Sequence, residues 1–267
     1  MTNQLTVTSS DAANRSGAVP QVIASLPVSL HPATESVERG TADLVAVDGA
    51  AGWPAEVEKA IDAGARGVLV VRPVPADVSS LVEKANAANV PVVIDAMWTY
   101  NPAVQNSAGP FAELFDDRML LEARTYARTG SDWDRVLLDQ LSLIRAAVAP
   151  LRSFRFVRKS EHGYAALAVF ANGARASITA VRTDSVPESA NLRTVKAQHL
   201  VELEVPAPET AFPGRVHVAG PEGSNLLETK WETAHRAAWR HLHGLATSGL
   251  TSSDLADFSE DVALAAS

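Results

Sequence analysis

Short apolar runs alternate with stretches of helical periodicity across residues 43–95. Asp43–Asp48 (DLVAVD) and Gly67–Val71 (GVLVV) are nearly continuous apolar runs, the pattern of strands covered on both faces. Val90–Ile94 (VPVVI) is a third, with Pro91 near its start, where a missing N–H costs least. Between the first two, Pro54 suits the first turn of a helix. There Val57, Ala60 and Ile61 share a face, and Gly64 can end the helix. Between the second and third, Asp77 can cap a helix whose Val78, Leu81, Val82 and Ala85 follow i, i+3, i+4, i+7 spacing. Repeated strand–helix–strand units of this length predict a parallel sheet with right-handed crossovers.

On either side the pattern differs. Gln4–Thr8 and Gln21–Ser25 read as strands and Ala33–Arg39 as a short helix, in a stretch rich in Ser, Asp, Asn, Gly and Ala. After Pro102, Asp132 or Asp134 starts a helix to about Val148, with Leu137, Leu141, Ile144 and Val148 on one stripe. Strand-like runs follow at Ser153–Val157, Tyr164–Phe170, Ala174–Val181, Leu200–Val205 and Arg215–Ala219. Asn172–Gly173 is a hairpin signal, and Gly220–Gly223 a turn into a last short strand. Helices near Glu232–Ala246 and Ser253–Ala266 close the chain. The expected class is α/β plus α+β. Residues 1–100 form a truncated Rossmann-like parallel-sheet domain, and 101–267 an α+β domain with a mostly antiparallel open sheet.

Composition narrows the chemistry. The 267 residues are long enough for two domains, with 46% apolar and 20% charged side chains. A net charge of −8 argues against nucleic-acid or anionic-membrane partners. No run reaches the roughly 18 to 20 apolar residues of a membrane span, and the N-terminus lacks the pattern of a signal peptide. These features lead to an expected cytoplasmic location. With no cysteine there is neither a thiolate nucleophile nor a cysteine metal site. His235, His241 and His243 offer no i, i+4 ligand pair, so no metal is expected. His162 and His199 lie alone.

A dinucleotide-binding half places a glycine-rich turn after its first strand and an acid after its second. Here the first strand runs into SSDAANRSG, the second into SLP, and no G-x-G-x-x-G occurs in the chain. The phosphate cradle is missing from the sequence, and no cofactor is expected.

Three further segments give these observations a context. They are PAEVEKAIDAGARGVLVVRPVPADVSSLVEKANAANVPVVID, TYNPAV at Thr99–Val104, and VHVAGPEGSNLLET. In this order they resemble the glucose-fructose oxidoreductase / inositol dehydrogenase (Gfo/Idh/MocA) family from about residue 40 to the end. The resemblance implies sugar or cyclitol hydride chemistry with NAD(P), resting on a lysine in Glu-Lys-Pro and on an Asp-x-x-x-His-Asp motif. In this chain those positions read Val71–Arg72–Pro73 and Asp134-Arg-Val-Leu-Leu138-Asp139, and the arginine before Tyr-Asn-Pro is Thr99. Taking a hydroxyl proton needs a group with a pKa near the working pH. Arginine, with a pKa above about 12, stays charged, and leucine binds no proton.

The resemblance makes Asp134 and Arg72 the catalytic candidates, with Arg72, Trp98, Tyr100, Asn101 and Asp139 as substrate-binding candidates. Each has a plainer reading. Arg72 can pair with a carboxylate, Asp134 and Asp139 can be helix-cap or surface residues, and Trp98 and Tyr100 can pack a core or hinge. Three functions stay open. The first is a small-molecule-binding or partner subunit with a degenerate nicotinamide site, forming a homodimer or a complex with an intact relative. The second is an active NAD(P)-dependent dehydrogenase with an atypical site. The third is a non-redox enzyme reusing the inter-domain cleft.

Overall fold

The computed structural model describes residues 4–33, 42–210 and 212–267. The chain divides into two compact units, residues 1–96 with 235–260, and residues 97–234 with 261–267. Residues 235–260 thus rejoin the first unit, whereas the sequence reading kept all of 101–267 together.

The first unit contains β1 (Leu5–Ser9), α1 (Asp11–Ser16), α2 (Val19–Ala24), β2 (Leu30–Pro32), β3 (Leu44–Asp48), α3 (Trp53–Asp62), β4 (Gly67–Val71), α4 (Ser79–Ala88) and β5 (Val92–Asp95). Its five strands are all parallel, in the order β2-β1-β3-β4-β5. Every residue of β4 and β5 is buried, which is why these strands read as unbroken apolar runs. The predicted face of α3 is buried at Val57, Ala60 and Ile61, and that of α4 at Leu81 and Ala85. Asp77 holds the start of α4, its Oδ1 accepting from the Ser79 N–H at 3.0 Å.

Gln21–Ser25 is not a strand. Those residues belong to α2 and its C-cap, because Val19, Val22 and Ile23 repeat at helical rather than alternating spacing and all three are buried. The second strand is the shorter β2, and Ala33–Arg39 falls mostly outside the described residues.

The chain returns through α7 (Ala234–Ser248) and α8 (Asp254–Ala265). Trp239 and Leu242 are fully buried. The Asn89 amide donates to Gly249 O, Asp254 Oδ2 accepts the Ile94 N–H at 2.8 Å, and Phe258 meets Trp53 edge-on. Two helices distant in sequence thereby complete the covering of the sheet.

The second unit holds α5 (Pro102–Leu114), β6 (Leu120–Ala127), α6 (Trp133–Ala147), β7 (Leu151–Ser160), β8 (Gly163–Phe170), β9 (Arg175–Arg182), β10 (Ser189–Val195), β11 (Leu200–Pro206), β12 (Arg215–Gly220) and β13 (Gly223–Leu226). Its eight strands run in the order β13-β12-β11-β10-β6-β9-β8-β7, antiparallel except for the β6–β9 pair. Gly173, at φ 92°, makes the expected hairpin turn between β8 and β9. β6 and β10 were not foreseen.

Alternation gives this sheet a buried face, including Leu121, Ala123, Ile178 and Leu192, on which α5 and α6 pack. The opposite face exposes Leu120, Leu167, Val181 and Val195. It also carries Glu122, Arg124, Arg193, Glu202 and Glu204 around a groove of about 580 Å³. At one rim, β7 bears Arg152, Arg155, Arg158 and Lys159 and shifts register twice against β8. Among the described residues, no helix is long and apolar enough to cross a membrane.

Candidate functional site

In an open parallel sheet, ligands sit beyond the carboxyl ends of the strands, where the strand order reverses. With the order β2-β1-β3, that point lies between the ends of β1 and β3. Ser9 there donates its hydroxyl to Asn14 Oδ1 at 2.6 Å, and Ser16 donates to Asp48 Oδ1 at 2.9 Å. Ser10 caps α1, its Oγ taking the Ala13 N–H at 3.1 Å, and Asp11 places a carboxylate in the first turn. A cradle for a pyrophosphate needs free N–H groups and a positive helix end. Here one donor is engaged and the added charge repels an anion. This turn carries none of the glycines of a G-x-G-x-x-G phosphate cradle.

Gly49 follows β3 and threads between β4 and the residues after it. Its N–H donates to Val71 O at 2.8 Å and its O accepts the Val74 N–H at 2.7 Å. A Cβ at this position would lie 2.3 Å from Pro73 Cα. The loop after β3 is therefore stitched tightly to the end of β4.

Arg72 stands at that end in the left-handed region, with φ 47°, and its N–H donates to Asp95 O at 3.0 Å. Such backbone is uncommon for a side-chain-bearing residue and costs on the order of 1 kcal/mol. Asp95 closes β5. It is fully buried, and its Oδ2 lies 2.6 Å from His235 Nδ1, at the start of α7. Its other oxygen is buried without a hydrogen bond among the described residues.

Neither Asp95 nor His235 was singled out from sequence for this role. Asp95 carried a signal, as a charged and fully buried residue closing an apolar strand, a place that Asp48 also takes in β3. His235 was weighed only as a metal ligand, and its partner lies 140 residues away. Among the described residues, no group of three or more His, Cys, Asp or Glu side chains is arranged to hold a metal ion.

The remaining candidates lie in the second unit. Asp139 is not a surface residue; it is 4% exposed, and its Oδ1 accepts the Met97 N–H at 3.0 Å. One turn later Ser142 shares a 3.0 Å hydrogen bond with Thr99, so α6 grips the segment that contains Trp98, Tyr100 and Asn101. Trp98 is buried and Tyr100 half-buried. Asn101 caps α5 through the Ala103 N–H, and Gly214 packs against it with no room for a Cβ. Burial, then the nearby Asp139 charge, pushes the Tyr164 hydroxyl well above its ordinary pKa, and it donates to Gln140 Oε1 at 2.7 Å.

Asp134 is set apart from this group. Asp132, not Asp134, caps α6, and the Asp134 side chain is 66% exposed, 3.6 Å from Lys159 on β7. Leu138, where the family motif has histidine, is buried.

By sequence, the chain matches no family model and no curated protein. By structure it is similar to a 3-ketoreductase, KijD10 from Actinomadura kijaniata, solved with NADP and TDP-benzene. The TM-score is 0.70 at 15% identity, over 98% of this chain and 87% of that one. It also resembles an oxidoreductase from Agrobacterium radiobacter in complex with NAD+, L-tartaric acid and magnesium, with TM-score 0.66, 15% identity and 98% and 86% coverage. A dehydrogenase from Chromobacterium violaceum matches with TM-score 0.65 at 16% identity, covering 97% and 84%. The fold is shared with these oxidoreductases. At these identities the likeness establishes the scaffold, and chemistry has to be argued from the residues.

Proposed function

We propose that the chain is a Gfo/Idh/MocA oxidoreductase-like protein whose nicotinamide site has degenerated. It acts as a small-molecule-binding or partner subunit rather than through hydride transfer. The observation that carries this reading is the β1–α1 turn. Ser10 occupies the helix cap, Asp11 adds negative charge, and no glycine opens space for a pyrophosphate. Arg72 and Leu138, at the family's lysine and histidine positions, point the same way, since neither takes up a proton near neutral pH.

The proposed ligand is sugar- or cyclitol-like, and the proposed partner is a second copy or an intact relative docked on the open face of the eight-stranded sheet. Exposed Leu120, Leu167, Val181 and Val195 among mixed charges make that face suitable for an interface.

A thermal-shift titration tests the central point. A ligand at about 100 times its dissociation constant adds about 2.7 kcal/mol to folding stability. The expected result is an unchanged midpoint in NAD+, NADH, NADP+ or NADPH at about 1 mM, and a rise of several degrees would overturn the reading.

A second reading, an active dehydrogenase with atypical cofactor contacts, is favoured by the nucleotides bound in the KijD10 and Agrobacterium structures. It predicts an absorbance change at the reduced-nicotinamide band with a polyol or keto-sugar.

A further inference from the structure

The chain leaves the parallel-sheet unit between Ala96 and Met97 and re-enters it between Ala234 and His235. The residues just inside these two crossings touch. Asp95 and His235 form a 2.6 Å pair whose side chains are 0% and 3% exposed, so the ends of a 138-residue excursion are fastened to each other. Between the pair and the first crossing, the chain bends tightly, with the Ala96 N–H on Ile94 O at 2.9 Å. Just past it, Met97 is gripped by the buried Asp139 carboxylate. The third crossing, between Glu260 and Asp261, falls inside α8, where Arg145 holds Asp261 at 2.7 Å.

Hinges in two-unit proteins are a few residues at element ends that absorb backbone rotation. Here two of the three crossings end on one buried acid–base pair. We infer that Asp95 and His235 act as a latch that couples these two crossings, so that the end of β5 and the first turns of α7 open together rather than separately. The burial supports this. A carboxylate withdrawn from water, with one oxygen lacking a hydrogen bond among the described residues, depends on its imidazole partner, and separating the two leaves an uncompensated buried charge. The neighbouring charged residues Arg72 and Asp254 bond the main chain at the end of β5 in the described contacts, Arg72 through its own N–H and Asp254 through its carboxylate. This inference is independent of the reading of the nucleotide site.

Native-state hydrogen exchange on the full chain tests it. In the unmodified protein, amides of Ile94–Ala96 and of Ala238–Trp239 should share one opening free energy and one dependence on added denaturant. Asp95→Asn and His235→Gln should each speed exchange in both segments by about ten-fold or more, while β8 and β9 stay unchanged. Asp139→Asn should loosen Met97 without reaching Ala238–Trp239. Different opening energies for the two segments in the unmodified protein would overturn the latch, even if no variant folds. Acceleration confined to the mutated side would overturn it as well.

Discussion

The carboxyl edge of the parallel sheet has two contrasting halves. At the ends of β1 and β3, Ser9 answers Asn14, Ser16 answers Asp48, and Ser10 closes the helix end. At the ends of β4 and β5, Arg72 holds a left-handed backbone, and Asp95 keeps one buried oxygen without a hydrogen bond among the described residues. One half is relaxed and self-satisfied; the other retains strain and a buried charge. The contrast separates side-chain satisfaction from backbone strain on one sheet edge: the strands are equally regular beneath both halves.

Substitutions at three positions probe this contrast. Gly49→Ala should have the largest effect, because the new methyl would sit 2.3 to 2.5 Å from Pro73 and Val71 backbone atoms that cannot swing aside. A loss of about 3 kcal/mol or more is expected in urea unfolding. A loss below about 1 kcal/mol would show that the seam after β3 is looser than described.

Ser10→Ala, on the relaxed half, removes a cap whose loss typically costs about 1 kcal/mol. Under the proposed function this variant still binds no nucleotide, since Asp11 remains. The smallest effect is a difference between two variants at Arg72. Both remove the side chain, and only alanine keeps the unfavourable backbone, so Arg72→Gly should exceed Arg72→Ala in stability by about 0.5 to 1 kcal/mol. Equal stabilities would remove strain from the description of this half.

Much of this architecture was legible in the chain, for reasons that vary by element. β3, β4 and β5 announce themselves because strands buried on both faces are continuously apolar, and Pro54 and Gly64 bracket α3. α2 was misread because six residues are too few to separate helical from alternating periodicity by eye. β6 and β10 escaped because their outward positions carry Glu122, Arg124, Asn191 and Arg193, which dilute the strand signal.

The missing glycine turn was readable from local sequence, since a phosphate cradle is a local motif. The grip of α6 on residues 97–101 and the Asp95–His235 pair were not. Each depends on contacts between segments far apart in the chain, 42 and 140 residues respectively.

The basic rim of the eight-stranded sheet bears on how the protein behaves in crowded solution. A ten-residue rim strand offers a row of backbone groups on which a stray extended chain could extend the sheet, and repetition of that step is how fibres grow. Two register shifts interrupt the row, and four positive charges with no acid among the same ten residues make a second copy of β7 a poor match beside the first. The protein can therefore keep a wide open sheet while its rim resists polymerisation.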